Sequence, residues 1–426
     1  MSTYQRLFFT FICIASSFLS FTQEGLQEVY KAGTDAYKAD DYQTFLTNMK
    51  LADELRPNHP TILYNLGVAL ALTGDEASAV ETLRKVAWMN AEMPFDSDED
   101  LESLKDYEPF QALITEVNEL KQPISSGSVA FEINNKSLHP EGVAYSSKQK
   151  KYYIGGVHNQ TIISVDRNGN AKEFTSEERL MAIMGLQVDE KRNLLWACST
   201  PAPEMSEYEE GLVAEVLSFD LKTGKLVGSY AAPHSQAWLG DLLVSNDGVV
   251  YVSSSSAEKP AIYVVNEADE TLEVLIEPKE LVSLQGLAFN SDESALFFSD
   301  YRFGLFRYDI SEEKLSSITS NIQHPLKGID GLYYYKGDLI AVHNGLRPFR
   351  IVRYSLNASE DEIDGYTILE KALPGMNEPT LGTIVGNEFH YVFNSPWGAY
   401  DENMELQIDE VENPIIRKIT LHLNID

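Results

Sequence analysis

Six short segments from residue 139 onward open in the same way. They read HPEGVAY, IMGLQVD, LGDLLVS, LQGLAFN, IDGLYYY and TLGTIVG, anchored at Glu141, Met184, Gly240, Gln285, Asp330 and Leu381. Each is followed by an aromatic or aliphatic run ending in small polar residues, such as LLWACS, VVYVSSSS, ALFFSD and FHYVFNS. The steps between anchors are 43, 56, 45, 45 and 51 residues. A period of this length built only of short strands is the mark of a β-propeller blade, because one such unit cannot bury its faces alone. Turn signals between the strands, in VDRNGN, FDLKTGK, VSNDG and YYKGD, agree with four-stranded meanders. The expectation is six blades over 128–426. The strand VAFEI (129–133) would supply the outer strand of the last blade and so remove the open edge.

The residue before the glycine carries the chemistry. In the first, fourth and fifth repeats it is Glu141, Gln285 and Asp330, all with oxygen ligands. Strands that converge on one axis bring these oxygens together. Two carboxylates and an amide carbonyl suit a hard divalent cation, calcium above all, since calcium accepts six to eight oxygens and tolerates water among them. Without a cation the two acids would repel and one would stay protonated. The competing reading is that each acid merely hydrogen-bonds backbone of the neighbouring blade. Zinc is disfavoured because no Cys/His pair has ligand spacing. Further candidates for the channel rim are Asp241, His139, His158, His343, Asn344 and Glu378. No nucleophile-elbow pattern, phosphate-cradling glycine loop or dinucleotide fingerprint is present.

Residues 24–120 read differently. Gly33 and Gly67 lie 34 apart inside helical apolar patterns, and the second copy runs TILYNLGVALALTGDEASAVETLRKVA. This resembles the tetratricopeptide repeat, with Gly67 and Ala79 letting paired helices approach. A further amphipathic helix with Phe110, Leu113 and Val117 reads as its cap. Such a domain is either a docking module for a protein partner or a brace on the propeller, and both readings stand at this point. Residues 121–127 read as a linker.

Residues 1–22 read as a secretory signal: Arg6 is the only charge, and Leu7 to Phe21 is apolar but short for a membrane span. The mature chain is therefore expected to be exported, periplasmic or secreted, with no membrane span after cleavage. An uncleaved anchor is the alternative. Cys13 and Cys198 are the only cysteines, so the mature chain has no internal disulfide. The net charge of −32, from 65 acids against 33 bases, excludes nucleic acid as a partner, because phosphate binding needs a basic face.

Residues 128–426 resemble the senescence-marker-protein, gluconolactonase and luciferin-regenerating-enzyme family. The likeness rests on PEGVAY, GLQVDEKRNLLWACS, DLLVSNDGVVYVSS, GLAFNSDESALFFSDYRFGLFRYD and DGLYYYKGDLIAVHNG. It implies a six-bladed propeller that hydrolyses lactones or related esters with a divalent metal held by an axial Glu, Asn and Asp. Glu141 and Asp330 match that set, whereas Gln285 stands where Asn is usual. Gly240-Asp241 stands where the family often has Asn-Asp. The resemblance implies Glu141, Gln285 and Asp330 as metal ligands and Asp330 as general base. The alternatives are a non-catalytic binding or scaffold propeller with a structural metal, and a synthase-type relative using Glu378.

Overall fold

The computed structural model describes residues 19–256 and 259–421. The expected export segment lies outside that range up to residue 18. Among the described residues no helix is long and apolar enough to cross a membrane.

The chain begins with five α-helices: α1 (Leu19–Lys38), α2 (Tyr42–Leu55), α3 (Pro60–Leu72), α4 (Glu76–Met89) and α5 (Glu108–Leu120), with a short 3-10 helix at Glu99–Leu104 before α5. The period of 34 residues returns in the caps. The Asp41 carboxylate accepts from the Thr44 amide at 3.1 Å, and Asp75 accepts from Ser78 at 3.2 Å. Each cap satisfies an amide that the first helical turn leaves unpaired. α1 packs on α2, α3 on α4, and α2 on α3. A Cβ on Gly67 would lie 2.6 Å from Leu83 Cδ2, so the glycine lets the buried Leu83 side chain lie directly on α3. Met49, Ala52, Ala79 and Leu83 are fully buried between the helices, and α5 adds Phe110, Leu113 and Val117.

The rest of the chain is a propeller-like sheet domain. Its first strands, Pro140–Ser146, Ala182–Asp189, Trp238–Val244, Leu284–Phe289, Ile329–Tyr335 and Gly382–Val385, each open an antiparallel meander. Each packs beside the next, and the last returns to the first. Two meanders merge into one eight-stranded sheet through a single parallel pairing, Ala231 with Thr271. The meander that opens at Gly382 has only three strands from its own stretch of chain. Gly127–Glu132 completes it, pairing antiparallel with Ile415–Thr420 from Gly127↔Ile419 to Glu132↔Ile415. Chain start and chain end of the domain are thereby hydrogen-bonded together, and an edge is covered.

Five of the six inner strands carry a bulge, and it falls on the anchor dipeptide each time. The register shifts lie between Pro140 and Val143, Ile183 and Leu186, Leu239 and Leu242, Leu284 and Leu287, and Ile329 and Leu332. A bulge turns a side chain away from the alternation of its strand. The glycine beside it is needed for close approach: a Cβ on Gly142 would lie 2.2 Å from Met184 O, and one on Gly286 2.3 Å from the Leu332 nitrogen. The recurring glycine is where one inner strand presses on the next.

The two domains are joined by more than a linker. Ile124–Ser125, within the expected linker 121–127, pairs with Lys371 and Glu370 of the sheet domain. Leu346, from the loop after Asp338–His343, is 1% exposed and belongs to the apolar core of the helices. Beside it Asn90 and Arg347 form a parallel bridge: Arg347 N donates to Met89 O (2.9 Å) and Ala91 N to Arg347 O (2.8 Å). Cys198 is buried, and burial pushes its thiol well above the usual range, leaving it inert at neutral pH.

Candidate functional site

The bulged inner strands present Glu141, Asp241 and Asp330, all buried, and the half-buried Gln285 around the axis of the ring. Their partners differ, and the differences sort their roles.

Asp241 is tied to backbone. Its Oδ1 accepts from its neighbour Leu242 N (2.9 Å) and its Oδ2 from Leu287 N on the adjacent inner strand (3.3 Å). This is the structural role weighed for such acids from sequence. Glu141 has one oxygen engaged: Trp397 Nε1–H donates to Oε2 at 2.8 Å, and Ser395 Oγ lies 3.4 Å from the same atom. Asp330 likewise accepts from Asn344 Nδ2 on Oδ2 at 2.7 Å. The Asn344 carbonyl is held in turn by the Tyr301 hydroxyl at 2.9 Å, which fixes the amide orientation. Gln285 donates from Nε2 to both Ser255 Oγ (3.1 Å) and Ser283 Oγ (3.0 Å), so its carbonyl is the end turned away, over Gly240. The lack of a side chain at Gly240 makes that room: a Cβ there would stand 3.3 Å from Gln285 Oε1. Glu141 Oε1, Gln285 Oε1 and Asp330 Oδ1 accept no hydrogen bond from any described residue.

Burial pushes every acid here toward its neutral form, and repulsion between acids adds to it at Glu141 and Asp330. For Glu141 burial acts first, then the charge of Asp330. For Asp330 burial is followed by the charges of Asp241 and Glu378. Burial alone pushes Asp241 up to about 7, against its backbone bonds. Glu378, held at φ 43° ahead of the last inner strand, is raised by burial and restrained by the nearby Arg347 guanidinium. The Tyr333 hydroxyl is raised by burial first and then by the charges of Asp241, Asp330 and Glu141, and it accepts from the Gly382 amide of the last inner strand. Four acids facing one axis make a centre of negative potential that a cation would relieve. Among the described residues no group of three or more His, Cys, Asp or Glu could hold a metal ion. A cation here therefore needs the Gln285 carbonyl and water beside the carboxylates.

Of the histidines expected on the rim, His139 and His343 are fully buried and make no contact with this set. His139 is fully buried, with its Nδ1 2.6 Å from the Tyr400 hydroxyl and its ring edge-on to Trp397. Burial drives it down to about 3, so it is neutral and acts as a wedge behind Trp397. His343 is fully buried away from the axis, between Lys327 O (3.1 Å) and the Tyr354 hydroxyl (2.7 Å). A strand-end histidine looks like a rim residue in sequence, but its ring turns into the packing under the next strand. His158 is set by Glu204 O at 2.9 Å and lines a cleft of about 640 Å³ with Met205, Tyr208 and Met404, which none of the channel acids lines. Asp300 is a turn cap, accepting from the amides of Val282, Ser283, Arg302 and Phe303.

Sequence reasoning missed Tyr333 and Arg347 and did not give Trp397 its role as donor to Glu141. Tyr333 lies two residues after the Asp330-Gly331 pair, where the bulge returns its side chain to the axis. That offset was the signal available. Trp397 opens a 3-10 helix, Trp397–Ala399, and Arg347 lies in a loop; both fall outside the repeating strands, so no period marks them.

No protein-family model and no curated protein matches this chain. Solved structures resemble it at a distance. A gluconolactonase from Xanthomonas campestris shares 14% identity over 71% of this chain and 92% of its own, with a TM-score of 0.47. Virginiamycin B lyase from Staphylococcus aureus shares 14% over 68% and 98%, with a TM-score of 0.44. A chain of a nidogen/laminin complex shares 13% over 53% and 79%, with a TM-score of 0.40. Likenesses this remote assign no activity.

Proposed function

We propose that the chain is an exported hydrolase of lactones or related esters that works in the channel of a six-bladed propeller, with calcium held by Glu141, Gln285 and Asp330. The tetratricopeptide-like helical array acts as its brace. The observation that carries this reading is the trio of unpartnered oxygens, Glu141 Oε1, Gln285 Oε1 and Asp330 Oδ1, each on a side chain whose other polar end is fastened. Fastened ligands with a free oxygen are what a preformed cation site requires. The donor set of two carboxylates and a carbonyl fits a hard cation, with water completing its shell. The bound ion would polarise the ester carbonyl and favour the oxyanion.

The chain's own residues supply the rest. Asp330 takes the proton of a water as the water oxygen attacks the carbonyl carbon. When the ring C–O bond breaks, that proton passes to the leaving oxygen. Asn344 holds Asp330 through Oδ2 and so fixes the carboxylate that takes the proton. Trp397 orients Glu141 and closes one side of the channel to water. The six blades are supported by the ring of six inner strands, and the helical repeat by the paired caps at Asp41 and Asp75.

The second reading is a non-catalytic binding propeller with a structural ion. A lactone hydrolysis screen with calcium and with chelator separates the two. The first reading expects calcium-dependent turnover that Asp330→Asn reduces by about a hundredfold or more, within the usual range for losing a general base. Calcium binding without turnover of any lactone or ester would give the second reading precedence.

A further inference from the structure

We propose that the helical domain sets the channel through the loop 344–347, with Arg347 as the positioning residue that links the two. The loop leaves the strand Asp338–His343 and makes contacts in two directions. Toward the helices, Leu346 is embedded in their apolar core, and the Arg347 backbone is bonded to Met89 O and Ala91 N just beyond α4. Toward the channel, Asn344 donates to Asp330 and accepts from Tyr301. Arg347 joins the two halves: its Nη1 donates to Asn344 O at 2.6 Å and to Leu346 O at 3.2 Å. Its guanidinium lies 3.8 Å from the centre of the Phe349 ring, which fixes the side chain further. Arg347 is also the cation that Glu378 senses. A second tie secures the loop's base, where Gly345 N donates to Gly328 O (3.1 Å) and Gly328 N to Tyr301 O (2.8 Å).

The consequence is physical. Asn344 is the outer partner of a proposed metal ligand, and such partners orient the ligand and tune its affinity. Beyond the Tyr301 and Gly345 ties, its position depends on Leu346 and Arg347, which hold the loop to the helices. The helical domain therefore shapes Asp330 without touching the channel. Its apolar interior takes a residue of this same chain.

The test uses the full chain and two independent readouts. Hydrogen exchange reports the loop directly and owes nothing to the proposed calcium site; calcium titration rests on that reading. Leu346→Ala should speed exchange of the Gly328 and Gly345 amides while strands on the far side of the ring keep their protection. Arg347→Met leaves the Leu346 anchor in place and should weaken calcium binding several-fold, up to roughly the 10-fold lower end seen on losing a direct outer-shell partner, because it acts through Asn344. Arg347→Lys, which can still donate to the two carbonyls, should restore most of that loss. Unchanged exchange at Gly328 and Gly345 in Leu346→Ala would overturn the proposal. So would Arg347→Met binding calcium as the natural chain does. Should Leu346→Ala disrupt the helices as a whole, the Arg347 pair decides. Should the natural chain bind no calcium, the cation reading fails, and exchange at Gly328 and Gly345 in Arg347→Met against the natural chain decides the coupling.

Discussion

A methyl group on Gly286 would meet the Leu332 backbone nitrogen at 2.3 Å, a contact that no rotamer change can relieve. Gly286→Ala should therefore force two inner strands apart and cost about 1–3 kcal/mol or more, read as a lowered midpoint in denaturant. Gly365→Ala, with nothing within 4 Å, should change stability by no more than about 0.5 kcal/mol. The anchor glycines were legible in sequence because packing repeats with the blade. The roles of the residues beside them were not. Glu141, Gln285, Asp330 and Asp241 look alike as polar anchors, yet Asp241 spends both oxygens on backbone and the others keep one back. Only the bulges and the neighbours across the ring make that difference. The acids also give a pH signature. Asp241 is raised to about 7 by burial, and Glu141, Asp330 and Glu378 are raised with it. Above the ordinary carboxylate range the folded state binds more protons than the unfolded chain, so this contribution to stability falls as pH rises through about 7. His139 and His324, lowered to about 3 by burial, act in the opposite sense and destabilise the fold as pH falls below their ordinary 6.5. In chelator, thermal scans should show lower stability at pH 8 than at pH 6.5, and below 6.5 the two histidines should offset part of the further gain from the acids. A flat profile from 6.5 to 8 would mean that the channel acids are not buried together.

Elements with strong periods were readable, and elements made by long-range pairing were less so. The helical repeat was visible at Gly33 and Gly67, and the caps at Asp41 and Asp75 keep the same spacing. Asp41→Ala and Asp75→Ala should each cost about 1 kcal/mol, in keeping with the loss of a side-chain cap, and thermal unfolding of the full chain checks both. A near-zero cost for both would mean that tertiary packing alone fixes these helix starts. The strand containing VAFEI belongs beside the last sheet because an unpaired edge is costly, and it pairs there with Ile415–Thr420. The neighbouring segment 121–127 reads as a linker from its Gln, Pro and Ser content. It nonetheless gains a short pairing with Glu370 and Lys371, since the chain must pass that exposed edge to reach its own strand. His343 misled for a related reason: the end of a strand is not always the mouth of a channel, and here Tyr354 and Lys327 O claim the ring.

At the scale of the whole molecule, a chain of net charge −32 concentrates buried acids at one axis and fixes a helical domain against the loop behind them. The ring brings the anchors together, the bulges aim them, and the loop from Asn344 to Arg347 holds one of them in place. The sequence period pointed to the ring; the dependence of the channel on the helices could not be read from it, because Leu346 and Met89 are distant in the chain and share no pattern. The central claim is that Glu141, Gln285 and Asp330 form a preformed cation site. A ligand that binds only the folded state stabilises it by mass action, by about 2.7 kcal/mol at a hundredfold excess over its Kd. The most direct measurement is the unfolding temperature of the full chain at pH 7.5 in chelator and in excess calcium, for the natural protein, Asp330→Ala and Asp300→Ala. The account predicts a rise of several degrees with calcium for the natural protein and for Asp300→Ala, and little or none for Asp330→Ala. Identical melting curves for the natural protein with and without calcium would contradict it.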